Sequence, residues 1–189
     1  DQILSMDDGQ RSLPLAGFEK MTAGIPSLGS RYTSFAEFAT QSIWDMFPTA
    51  ELEAATVRTV TQFATTLLIN GGDGTFRQGN LPAEAQFSPV HAIMVDDFNG
   101  DGFQDILLGG NFIGVEPDQG RYTASYGSLL LGDGSGTFEP VSLQRSGFAL
   151  TGEIRHIEAL RAANGEALVI IARNNDSAVI FRQTMERRR

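Results

Sequence analysis

Four side chains able to hold a hard cation fall within nine residues: Asp97, Asn99, Asp101 and Asp105. They stand at positions 1, 3, 5 and 9 of the run Asp97-Phe98-Asn99-Gly100-Asp101-Gly102-Phe103-Gln104-Asp105. Calcium takes about six to eight oxygen ligands, and carboxylates, amide oxygens and main-chain carbonyls all qualify. The Phe103 carbonyl falls at position 7. Gly102, at position 6, permits the sharp turn that brings both halves of the loop round an ion. Without a cation, three carboxylates this close repel one another. The run therefore predicts a Ca²⁺ site built from Asp97, Asn99, Asp101, the Phe103 carbonyl and Asp105.

The flanking residues identify what carries the loop. An EF-hand needs a bidentate Glu at position 12 and a helix on each side. Position 12 here is Leu108, and Ile106-Leu107-Leu108-Gly109-Gly110 reads as a strand running into a bend. A dockerin-type loop fails for the same reason. The continuous apolar run implies a strand covered on both faces.

An internal repeat supports the strand reading. Thr66-Leu67-Leu68-Ile69-Asn70-Gly71-Gly72-Asp73-Gly74-Thr75-Phe76 aligns without a gap, at an offset of 62 residues (128 − 66), with the run from Ser128 to Phe138. At an offset of 63 (168 − 105), Asp105-Ile106-Leu107-Leu108 meets Leu168-Val169-Ile170-Ile171, Gly102 meets Gly165 and Asn111 meets Asn174. That third copy keeps the turn and lacks the acids. Strands are expected at 90–96, 104–110, 127–131 and 137–141. Four-stranded antiparallel units recurring at this spacing suggest β-propeller blades.

Residues 14–57 differ. Pro14 is placed to open a helix. Ser34 is placed to cap a helix over 35–47, where Phe35, Phe38, Ala39, Ile43 and Met46 or Phe47 recur at helical spacing. A further short helix is expected near Thr49. From Val57, β-branched residues mark the change to strand.

Composition removes several function classes. The chain has 189 residues, 41% hydrophobic, with a net charge of −9. This balance offers no basic face for nucleic acid; the one basic cluster, Arg187–Arg189, reads as a solvated tail. No cysteine is present, so disulfides and thiol chemistry are excluded. No apolar run approaches the ~20 residues of a membrane-spanning helix. No Gly-x-Ser-x-Gly, phosphate loop or His-Glu-x-x-His occurs, and His91 and His156 read as structural. The residues from Glu116 to Tyr122 form the best candidate recognition loop. Arg121 and Tyr122 there, and Tyr126 just beyond, are of the types that anchor interfaces.

The run Asp97-x-Asn99-x-Asp101-Gly102-x-x-Asp105 between strands resembles the calcium loop of FG-GAP/VCBS repeats, as in integrin α-subunit propellers. The wider stretch 60–145 is similar to bacterial ASPIC/UnbV-associated VCBS proteins. The resemblance implies a structural metal and a propeller used as a binding or adhesion platform. The fold expected is mainly β: a partial propeller of four-stranded antiparallel blades with an N-terminal helical insertion. Residues 1–57 form a strand end plus the insertion. Residues 58–189 form blades at about 57–88 (partial), 89–145 (full) and 150–183 (degenerate). So few blades imply part of a longer chain, or a ring completed by other subunits. The expected function is a non-enzymatic, calcium-binding scaffold for a protein or glycan ligand. Its expected setting is outside the cytoplasm, where millimolar calcium fills weak sites. The alternative is an accessory part of a secreted carbohydrate-active hydrolase or lyase, with catalytic residues elsewhere.

Overall fold

A computed structural model describes residues 2–115, 120–182 and 184. The fold is mainly β, with 31% strand against 20% helix. The chain divides into two compact units, Asp1–Thr61 and Gln62–Arg189.

The first unit opens with an antiparallel pair, β1 (Ser5–Asp7) and β2 (Ser12–Pro14). The Asp8 carboxylate closes their turn by accepting the N–H groups of Gln10 and Arg11. Pro14 ends β2 and opens no helix, contrary to expectation. A residue without an N–H is tolerated at the end of an edge strand. Five short helices follow: α1 (Phe18–Gly24), α2 (Pro26–Arg31), α3 (Phe35–Ala39), α4 (Ile43–Met46) and α5 (Thr49–Ala54). Ser34 caps α3 by accepting the Glu37 N–H. The single helix expected over 35–47 is broken at Ser42. There the Ser42 N–H and hydroxyl both reach the Asp45 carboxylate in a capping box, which starts a new helix. Met21, Leu28, Tyr32, Phe38 and Met46 form this unit's core. Phe35, the first residue of the expected apolar stripe, is exposed.

Val57–Thr61, at the end of the first unit, gives no strand; the second unit's first strand is β3 (Leu67–Asn70), hairpinned to β4 (Phe76–Gly79). A 3₁₀ turn at Ala83–Gln86 follows. Then come β5 (Val90–Asp96), β6 (Asp105–Gly110), β7 (Ser128–Gly132) and β8 (Phe138–Pro140), an antiparallel meander in the order β5-β6-β7-β8. After α6 (Leu143–Ser146), β9 (Ile154–Arg161), β10 (Ala167–Arg173) and β11 (Val179–Arg182) form a three-stranded meander. The described residues thus make four small sheets and close no ring.

Strand β6 is the centre of this unit because its two faces are both covered. Leu107 packs with Ala92, Ile154, Ile157, Val169 and Ile171, so the β9–β10 pair lies against β5 and β6. Leu108 points the other way, to Ala85 and Leu130. Gly109 is required by closeness: a Cβ there would run into the Ile154 side chain. The two aligned hairpin turns have matching geometry. Gly71 N–H donates to the Thr75 carbonyl at 2.9 Å, and Asp133 N–H donates to that of Thr137 at 3.2 Å. Gly72 and Gly74 in one, and Gly134 and Gly136 in the other, all have positive φ.

Candidate metal centre

Strands β5 and β6 present the acidic run as the connection between their paired ends, Asp96 and Asp105. The loop is wound around one carboxylate. Asp97 Oδ1 accepts the N–H groups of Gly100 (2.7 Å) and Asp101 (3.1 Å), and its Oδ2 accepts that of Gly102 (2.9 Å). Asn99 Oδ1 accepts the Asp101 N–H, and Asp101 Oδ1 accepts the Phe103 N–H. These are successive Asx turns, the local bonds that Asp and Asn make most readily. Gly100 and Gly102 take φ of 76° and 92°, where a side chain would be strained.

Asp105 has a different role. It is wholly buried, at 0% exposure. Oδ2 accepts the Phe98 N–H and Oδ1 the Gly132 N–H, both at 2.9 Å. One carboxylate therefore ties the loop to β7. Burial raises its pKa above the ordinary carboxylate value, hydrogen bonds from Gly132 and Phe98 oppose this, and the charges of Asp101 and Asp97 raise it further. Asp105 thus feels the charge of both other carboxylates.

The donor set fits a hard cation in kind: three carboxylates, an amide oxygen and a main-chain carbonyl. Its arrangement is not that of a cage. Among the described residues no three acidic or histidine side chains are grouped to hold a metal ion. The Asn99 amide nitrogen, and not its oxygen, faces Asp101 Oδ2 at 2.8 Å.

No protein-family model, curated protein or solved structure matches the chain. The FG-GAP/VCBS resemblance therefore stands on the motif alone, and a metal role rests on the chemistry of the loop. Among the described residues, no helix is long and apolar enough to cross a membrane.

The far ends of the same strands carry a polar cluster that the sequence did not announce as a site. Asn111, 2% exposed and at φ 79°, donates to the carbonyls of Ser125 and Gly152 and accepts the Ser125 N–H. Buried Glu153 bonds the Asn174 amide and the Arg155 guanidinium. The alignment of Asn111 with Asn174 was the available signal: each asparagine binds back at the point where its strand leaves the sheet. His91 bulges out of β5 and Arg155 out of β9. Both reach Phe112, His91 edge-on at 6.0 Å and Arg155 over the ring at 5.6 Å. Burial first, then the Arg155 charge, lowers the His91 pKa. His156 is exposed on β9, beside Glu158 at 3.2 Å.

Of the expected recognition loop, residues 116–119 lie outside the described residues, as does Arg187–Arg189. Tyr122 is bonded to Phe112 through both main-chain groups (2.8 and 2.9 Å), while its side chain is exposed. Tyr126 is also exposed.

Proposed function

We propose that the second unit is a non-enzymatic, calcium-binding β-scaffold of propeller-blade type, serving outside the cytoplasm as a binding or assembly platform. The observation that carries the metal part is the loop between β5 and β6. Its backbone is wound on the Asp97 carboxylate, and the charges of Asp101 and Asp97 raise the pKa of Asp105, a repulsion that a cation would relieve. Asp97, Asn99, Asp101 and the Phe103 carbonyl would hold the ion, and Asp105 would join them while anchoring the loop to β7.

The blade reading is supported by topology. A complete four-stranded meander is followed by a second meander whose first strand packs on the first strand of the one before. The β3–β4 pair is the outer half of a preceding blade. Blades present open strand edges unless neighbours cover them. The partners are then a protein or glycan ligand, or other subunits that complete the ring.

Thermal unfolding in calcium, in magnesium and in chelator tests the metal part directly. Calcium is expected to raise the melting temperature above both other conditions. Superimposed curves in calcium and chelator would refute it. Sedimentation of the chain at rising concentration tests the open edges: self-association is expected, and a monomer at all concentrations would count against incomplete blades.

A further inference from the structure

A cleft of about 430 Å³ opens between the 3₁₀ turn, the start of β7 and the connection from β8 to α6. That volume lies in the range of ~300–1,000 Å³ usual for binding pockets. Its rim is apolar and aromatic: Phe87 is 52% exposed, Tyr126 50% and Leu143 38%. Ser128 lines it with its hydroxyl already donated to the Glu84 carbonyl at 3.3 Å. Glu84 is the only charged residue of the lining. Among the described residues, no hydrogen bond or ion pair engages its carboxylate.

We propose that this cleft receives an arginine or lysine side chain of a protein partner, with apolar neighbours of that side chain resting on Phe87, Tyr126 and Leu143. The alternatives fail on the lining itself. An anion would meet Glu84 on a chain of net charge −9. A purely apolar ligand would strip water from Glu84 and return no partner, which is costly. A sugar needs several convergent polar side chains, and the lining supplies Ser128, already engaged, Ser142, the Tyr126 hydroxyl and one acid, Glu84, whose charge a neutral sugar leaves unpaired. A cation on an apolar stem satisfies the acid and uses the ring faces together. This chain already makes the ring half of that contact internally, with Arg155 over Phe112. The apolar rim is the reason for a side chain on a peptide instead of a free amine.

The inference deepens the reading of this unit as a binding scaffold and rests on it, but not on the calcium loop. The test follows amide shifts of the full chain by NMR during titration with acetyl-Leu-Arg-Leu-amide, the same peptide carrying citrulline, and free arginine. Each titration is run in calcium and in chelator. The arginine peptide is expected to shift Phe87 and residues 127–129, and the citrulline peptide to bind about fivefold more weakly or worse. Glu84→Gln is expected to weaken the arginine peptide by a similar factor and leave the citrulline peptide unchanged. Tyr126→Ala is expected to weaken both. No shifts at these residues, equal binding of the two peptides, or indifference to Glu84→Gln would overturn the cleft assignment. Free arginine binding as tightly as the peptide would overturn the protein partner. Binding in both calcium and chelator would leave the cleft standing even if the metal reading failed, and a calcium-raised melting temperature without peptide shifts would do the reverse.

Discussion

Replacing Asp105 by alanine separates a structural carboxylate from a ligand. The side chain accepts two main-chain N–H groups, and the two do not cost the same when orphaned. The Gly132 bond is buried and has no route to water. The Phe98 bond is only partly buried, so its N–H recovers some hydration. A buried unpaired donor costs about 1–3 kcal/mol, and a half-hydrated one less, for a gross loss of about 2–4 kcal/mol. Burial raises the Asp105 pKa, so the ionised form is itself disfavoured and its removal trims that loss. The sign follows from the raised value: the contribution of the neutral form is full below the unfolded pKa and fades as pH rises through the folded one. Urea unfolding followed by circular dichroism, with exchange of the Gly132 amide, reads the effect at neutral pH. Asp105→Ala is expected to unfold at lower urea in chelator and in calcium alike, and to lose Gly132 protection. Asp105→Asn keeps one acceptor for Gly132 and is expected to fall between. If the alanine variant matches the parent in chelator and differs from it only in calcium, the structural role is wrong.

Asp101→Ala is the contrasting variant: its carboxylate bonds the exposed Phe103 N–H and the Asn99 amide. It is expected to melt close to the parent in chelator and to lose most of the calcium shift, read by thermal scanning. Gly109→Ala drives a methyl into Ile154 and is expected to cost about 1–3 kcal/mol in urea unfolding. Asn111→Ala loses three hydrogen bonds and retains a left-handed backbone, for a loss of about 3 kcal/mol or more; Asn111→Gly, which relieves the backbone alone, is expected to be the milder of the two. The pKa of Asp73 is lowered by the Thr75 hydroxyl and then its N–H, and that of Asp133 by the Ser135 hydroxyl and then its N–H. Their contribution is present above the unfolded value and lost as pH falls through the lowered folded values. The double variant Asp73→Asn/Asp133→Asn is therefore expected to flatten the acid limb of a melting-temperature profile below pH 3.8.

What was readable in the sequence follows from how far apart the cooperating residues lie. Strand β6 was readable because Leu107 and Leu108 enter different apolar clusters, which forces an unbroken hydrophobic run. The metal-type loop was readable because its turns are local, Asp97 and Asp101 bonding N–H groups within five residues; the tie from Asp105 to Gly132, 27 residues on, was not. The helical stripe over 35–47 was misread as one element because apolar spacing continues through Ser42, whereas the capping box at Asp45 restarts the backbone. Val57–Thr61 has strand-forming residues but no strand to pair with, and propensity without a partner makes no sheet. The cleft has no signature in the sequence because its lining comes from residues near 84, 127 and 142, and no spacing rule links them.

The bond from Asn111 to the Gly152 carbonyl spans 41 residues. A chain emerging from the ribosome completes β6 while that acceptor is still unmade. The four-stranded sheet can form its ladders at that stage, but Asn111 lacks one of its buried partners and Leu107 still faces water where Ile154 and Ile171 will pack. The order of synthesis is therefore not the order of consolidation: β5 to β8 become a settled sheet only when β9 and β10 arrive. A truncation that ends at β8 would carry the acidic loop and its tie to β7, and would still leave Leu107 without the packing of Ile154 and Ile171.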